Sequence, residues 1–239
     1  MSTTRADDPR PVTTQSHSPD TLPDDLAAAL RGKFIVFDGP DGSGKSTQLA
    51  RFMDSVRAAG VPVTEVREPG GTETGERIRA TLLGHLDRET MSVRCEMLLY
   101  MASRAQLCEQ VIAPALARGD LVVADRFVSS TYAYQGAAGG IPSGEIASAA
   151  RIAMQDNEPD ATLIFDVDEG TAASRLSPLL DRMEAKGAAF HALVRRGYLG
   201  LIESDPDGAR YLRIDGAGSA SEVSGRIRGA LRTRFVGRA

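Results

Sequence analysis

The eight residues GPDGSGKS, Gly39 to Ser46, constrain the fold more than any other part of the chain. They follow the apolar run FIVF and precede a segment with helical spacing. The pattern is G-x-x-x-x-G-K-[ST], with Gly39, Gly44, Lys45 and Ser46 in the fixed places. In such a loop, backbone N–H groups converge on phosphates, and the following helix adds its positive N-terminal end. Lys45 reaches the β- and γ-phosphates, and the Ser46 hydroxyl coordinates Mg2+. The glycines let the backbone approach where a Cβ would block it. The stretch Gly39, Pro40, Asp41, Gly42, Ser43, Gly44, Lys45, Ser46 and Thr47 is therefore a candidate ATP-binding loop.

The rest of the chain alternates short β-branched runs with longer helical patterns. Strands are expected at KFIVFDG, VPVTEVRE, DLVVADR, ATLIFDV and RYLRID. Helices are expected over 45–59, stopping at Gly60, from Thr72, from about Ser92 through Ala113, and over about 220–235. Pro114 kinks the long helix or marks its last turn. Strands separated by helices imply a parallel sheet covered on both faces. At 239 residues the chain is expected to form one domain over 26–239. Residues 1–25 are rich in Pro, Ser, Thr and Asp, cannot build a core, and read as a disordered tail.

Several functions are excluded at this level. The formal charge of −4 provides no basic field for nucleic acid. No run is long and apolar enough for a membrane span, and the first residues lack a signal-peptide core. Cys95 and Cys108 are thirteen positions apart on one predicted helix, which points them to different faces and precludes a disulfide. His17, His85 and His191 are scattered and read as structural or solvent-facing. A reducing, cytoplasmic compartment is the expectation. A GTPase would need N-K-x-D to read guanine, and that motif is absent. A small kinase fits the length.

Three further clusters bear on what receives the phosphoryl group. In REPGGTETGERIR, Thr72 can cap a helix, and Arg79 lies seven residues on, near the same face. In EMLLYMASRAQL, Tyr100 and Arg104 are four apart and project together, an aromatic plane beside a guanidinium fork. That pair suits a flat base, although taken alone such a pair is more often structural packing. In VVADRFVSSTYAYQG, Asp125 ends an apolar strand where an acid would hold Mg2+, directly or through water. Arg126 follows it, so the strand must already be turning there. Thr131, Tyr134 and Gln135 add polar tips.

The segments DGPDGSGKST, REPGGT, YMASRAQL, ADRFVSSTYAYQG and DRMEAKGAAFHALVRRGYLGL occur in an order and spacing similar to thymidylate kinases, from about Lys33 to the C-terminus. The resemblance implies the three-layer α/β/α fold of P-loop NTPases, with a five-stranded parallel sheet and a short lid at about 175–187. It also implies Mg-assisted transfer from ATP to the 5′-phosphate of dTMP, giving dTDP, in a homodimer without nucleic-acid or membrane partners. Asp41 then lies near the acceptor's 3′-hydroxyl, Tyr100 stacks on thymine, and Arg104 reads the thymine edge. Arg79 and Arg126 hold the 5′-phosphate. Thr131, Tyr134 and Gln135 contact base and sugar, and Glu68 lies near metal and acceptor.

The nucleophile would be a phosphate oxygen, mostly deprotonated at neutral pH because the second phosphate pKa is near 6. No general base is required. Gly42 occupies the place where some members put an arginine, so the transfer arginine belongs to the lid, with Arg182 and Arg175 as candidates and Lys186 the remaining cation. After ATLIFDV the chain lacks the Pro usual in the family, which leaves that helix start open. Two other readings stand beside this one: a kinase for another deoxynucleotide or a nucleoside, with Glu68 as base, and a nucleotide-binding protein of low turnover.

Overall fold

The computed structural model describes residues 21–84, 89–175, 182, 183 and 186–237. Five strands form one parallel sheet in the order β2-β3-β1-β4-β5. They are β1 (Phe34–Asp38), β2 (Val63–Arg67), β3 (Leu121–Asp125), β4 (Ala161–Asp166) and β5 (Tyr211–Asp215). Strands β1 and β4 are buried at every position and β3 at all but its last. That explains why their sequences read as unbroken apolar runs rather than as alternating ones.

Alternate side chains of these strands feed two cores. Ile35 and Phe37 of β1, with Leu163 and Phe165 of β4, face α1 (Asp24–Ala29), α2 (Lys45–Ala58) and α10 (Ala220–Phe235). Phe34 and Val36, with Val122 and Ala124 of β3, face α4 (Val93–Leu107), α5 (Ala113–Ala117) and α7 (Ser143–Met154). A third cluster joins α9 (Ala188–Glu203) to the π-helical turn Tyr132–Ala137 that follows α6 (Val128–Thr131), through Ala133, Tyr134, Val194 and Tyr198. The expected three-layer α/β/α arrangement is what forms.

Local chemistry sets the helix ends. Thr72 accepts from the Gly75 N–H and starts α3 (Glu73–Leu83), while Ser92 accepts from the Cys95 N–H and starts α4. Ser219 and Glu222 make a reciprocal capping box on α10. At α8 (Glu169–Ser174), the missing Pro is replaced by the Asp168 carboxylate, which accepts from the Thr171 N–H at 2.9 Å. Helix α2 gives way to Gly60, with φ of 66°.

Two expectations need adjusting. The stretch read as a tail to residue 25 includes ordered chain at its end, because Leu22 is buried and α1 begins at Asp24. Leu22, Leu26 and Leu30 recur every four residues and seat this helix on the first core, while residues 1–20 lie outside the described residues. The long helix from Ser92 does not end at Pro114. It widens into a π-helical turn, Cys108–Ile112, and continues as α5, where Pro114, lacking an N–H, cannot continue the regular ladder.

Leu163 is fully buried at the centre of the first core. Leu163→Ala should destabilise the fold by about 2–5 kcal/mol through lost burial and the cavity left behind. Urea unfolding should show this as a lower midpoint with an unchanged slope.

Candidate active site

Strands β1, β2 and β3 deliver their carboxyl ends to one crevice, the place where open α/β sheets bind ligands. Over β1 the chain passes directly into the phosphate loop. Gly39 has φ of 141°, and a Cβ there would lie 2.5 Å from the Phe165 carbonyl oxygen. Gly42 has φ of 75°, and a Cβ there would lie 2.3 Å from the carbonyl oxygen of Ala172 in α8. An arginine at 42 would therefore displace α8, which gives a steric reason for Gly at that place. Pro40 is buried, its carbonyl accepts from the Ser43 N–H, and Gly44 precedes the first turn of α2. The Ser43 hydroxyl is buried and, among the described residues, has no hydrogen-bond partner. Ser46 and Thr47 are exposed at the start of α2.

Lys45 is nearly buried, and its Nζ pairs with the Asp125 carboxylate at the end of β3. Burial and the nearby Arg126 push the Lys45 pKa down, against the pull of Asp125. The loop lysine and the expected metal acid thus meet at the phosphate-loop side of the crevice. Ser46 and Asp125 together supply one hydroxyl and one carboxylate. That set fits Mg2+, which keeps several waters and takes one or two carboxylates plus phosphate oxygens. Among the described residues, no group of three or more His, Cys, Asp or Glu is placed to hold an ion alone.

Beside this lies a cavity of about 200 Å3. Asp41, Glu68, Arg79, Tyr100, Arg104, Arg126, Thr131, Tyr134 and Gln135, the residues expected on the acceptor side, all line it, and so does Asp125. Arg126 has φ of 68°, so the chain turns sharply after β3 and swings this side chain into the crevice. Its guanidinium pairs with Asp41, contacts Asp38 at 3.4 Å, and bonds the Gly39 carbonyl, the Ser130 hydroxyl and the Tyr198 hydroxyl. Burial works against its charge, but Tyr134, Asp41, Tyr198 and Asp38 outweigh that and raise its pKa well above the usual value. The Tyr134 hydroxyl donates to Asp41 at 2.7 Å. Burial raises the Asp41 pKa, but Arg126 and the Tyr134 hydrogen bond prevail and hold it below the usual value.

On the other wall Arg104 is 1% exposed. Its Nε and Nη2 donate to Glu68, its Nη1 bonds the Thr131 hydroxyl at 3.3 Å, and its plane lies 5.0 Å over the Phe127 ring. Burial pushes the Glu68 carboxyl up to about 7, against the opposing pull of Arg104. Arg79 Nη1 donates to the Pro69 carbonyl at 2.8 Å.

The two arginines expected in a lid part company. Arg175 Nη1 lies 3.3 Å from the position a Cβ on Gly44 would take, and 3.4 Å from the Gly216 carbonyl, so it stands beside the phosphate loop. Arg182 instead donates to the Leu82 carbonyl and to Glu96, on the acceptor side. Lys186 also meets Glu96. The rest of the stretch expected as a lid, 176–181, 184 and 185, lies outside the described residues.

Sequence reasoning passed over Asp38 and Glu96. Asp38 is wholly buried and accepts from Ser129, Ser130 and Tyr198. The signal was available: an acid ending the apolar run of β1, the same pattern that singled out Asp125. Glu96 sits four residues before Tyr100 and eight before Arg104, on the same face of α4.

A sequence profile of the thymidylate kinase family matches residues 37–227. A thymidylate kinase of Pseudomonas fluorescens (strain Pf0-1) is 47% identical over 188 residues, covering 78% of this chain and 88% of the relative. One from Caldanaerobacter subterraneus subsp. tengcongensis is 42% identical over 189 residues, covering 78% and 88%. The crystal structure of thymidylate kinase from Ehrlichia chaffeensis superposes with a TM-score of 0.65 at 28% identity, covering 84% of this chain and 99% of that one. The chain belongs to the thymidylate kinase family.

Proposed function

We propose that the protein transfers the terminal phosphoryl group of ATP to dTMP with Mg2+, producing dTDP. The observation that carries this is the cavity itself. Nine residues expected to hold a thymidine monophosphate line one crevice, and its Asp125 wall is joined to the phosphate-loop Lys45. Tyr100 offers an aromatic face to the base, and Arg104 offers donors to its edge. A guanidinium has five N–H groups; among the described residues Glu68, Thr131 and Met101 engage four of them, and one N–H of Nη2 is left for a ligand. Arg126 and Arg79 meet the acceptor phosphate, while Asp41 and Tyr134 lie on the sugar side.

Mg2+, held by Ser46 and through water or directly by Asp125, would supply charge neutralisation on the β- and γ-phosphates. Lys45 exchanges its present partner, Asp125, for phosphate oxygens. Two anions repel each other, so gathering cations around both is the main catalytic task. Arg175, beside the phosphate loop, is the better placed of the two lid arginines for charge that develops during transfer. Arg182 is committed to Glu96. A nucleoside acceptor would need a base, and both oxygens of Glu68 are engaged by Arg104, which weighs against that reading. The compartment is taken as cytoplasmic. Among the described residues, no helix is long and apolar enough to cross a membrane.

Homodimer formation through α4 and α7 belongs to the same proposal. Leu98 on α4 and Ile152 on α7 are large apolar side chains left 54% and 73% exposed.

Four measurements test these statements. ADP release across nucleoside monophosphates should be strongest with dTMP and absent with thymidine, and no stimulation by dTMP overturns the assignment. Arg104→Ala should raise KM for dTMP by about tenfold or more and leave KM for ATP within about twofold. An equal rise in both constants argues against base reading. Arg175→Ala should lower kcat by about 10^3-fold, with a smaller kcat effect from Arg182→Ala. Leu98→Asp should shift the mass in light scattering from dimer to monomer.

A further inference from the structure

Glu96 of α4 is buried against Gln135, a residue that lines the cavity. It is 1% exposed and does not line the cavity itself. Its Oε1 accepts from Gln135 Nε2 at 2.8 Å. Its Oε2 accepts from Arg182 Nη2 at 2.7 Å, and Lys186 Nζ lies 3.2 Å from both oxygens. Burial pushes its pKa up, but the Gln135 hydrogen bond, Lys186 and Arg182 outweigh this and hold it below the usual carboxylate value. Two cations thus keep an acid ionised inside the protein, and none of the roles assigned above uses it.

An ionised carboxylate can only accept. Facing it, the Gln135 carboxamide must present its N–H end. Turned over, the amide would set its own oxygen against the carboxylate, in a buried place where the repulsion is poorly screened. The orientation of Gln135, ordinarily free to flip, is therefore fixed from behind. Gln135 lines the cavity on its other side. The polar end left for a ligand is the carbonyl oxygen, an acceptor. Arg104, on the same cavity, is a donor only.

We infer that Glu96 is a positioning residue for acceptor specificity: by fixing the Gln135 carboxamide it sets an acceptor beside the Arg104 donors, a pair that matches the N3–H and O4 of thymine and opposes the bare N3 and 4-amino group of cytosine. This rests on the reading of dTMP as acceptor. A site built to pair with one pattern of donors and acceptors rejects its inverse strongly, because buried polar groups are then left unpaired.

The test compares kcat/KM for dTMP and dCMP in the full-length protein. Wild type should favour dTMP. Glu96→Gln should lower the dTMP/dCMP ratio by about tenfold or more, because a neutral amide at 96 can donate or accept and lets Gln135 turn over. Glu96→Asp, still acceptor-only, should keep the ratio within about threefold of wild type whatever it does to turnover. Lys186→Gln should also keep it, since Arg182 still holds the carboxylate ionised. Glu96→Gln with a wild-type ratio and slower turnover on both acceptors would show a packing role and overturn the inference. So would a loss of ratio in Lys186→Gln as large as in Glu96→Gln. If Glu96→Gln does not give a folded protein by circular dichroism, Gln135→Leu decides: the ratio should collapse, and an unchanged ratio is fatal. A wild-type protein inert toward dTMP would instead bring down the acceptor assignment itself.

Discussion

Burying a guanidinium or an ammonium costs several kcal/mol unless an anion goes with it. The site is organised around that constraint. Five of the site's cations are matched by acids: Lys45 with Asp125, Arg126 with Asp41 and Asp38, Arg104 with Glu68, Arg182 and Lys186 with Glu96. The acids make it possible for the protein to hold, inside a folded structure, the positive charge that two phosphate-bearing nucleotides would require. An arriving phosphate would take the place of a carboxylate partner rather than meet a bare ion.

The same constraint explains why the acids sit where they do. Asp38 and Asp125 end apolar strands, β1 and β3, side by side in the sheet. Strand ends are where the core stops and where backbone turns away, so a charged group there can reach the crevice without passing through apolar contacts. Arg126 completes the turn with a left-handed backbone that carries its side chain back over β1 toward Gly39 and Asp41. The stacked rings of Phe37 and Phe165 underlie the phosphate loop and close the core directly beneath it. Rigid packing below and paired charge above are thus adjacent layers of one structure.

Much of this was legible residue by residue. The phosphate loop declared itself because only glycine tolerates the backbone at 39 and 42, and because the lysine and hydroxyl must follow at fixed spacing. Thr72 marked a helix start by capping chemistry that acts within three residues. Tyr100 and Arg104 announced a shared face by helical spacing alone. Glu96 escaped notice because one acid in an apolar run looks the same whether it faces solvent or a buried cation, whereas Asp38 carried the same strand-ending signal as Asp125. The order of Arg175 and Arg182 escaped for a related reason: their partners, Gly216 and Glu96, are 41 and 86 positions away.

Sequence by itself determined most of the elements, the sheet class, the phosphate-loop motif and the family. Those features are set by local rules: two periodicities, caps, and the steric freedom of glycine. Tertiary structure alone decided which carboxylate neutralises which cation, that Gly42 is closed in by α8, and which lid arginine stands at the phosphate loop. Such pairings join residues far apart in the chain, and their energy depends on burial, which no short stretch of sequence specifies.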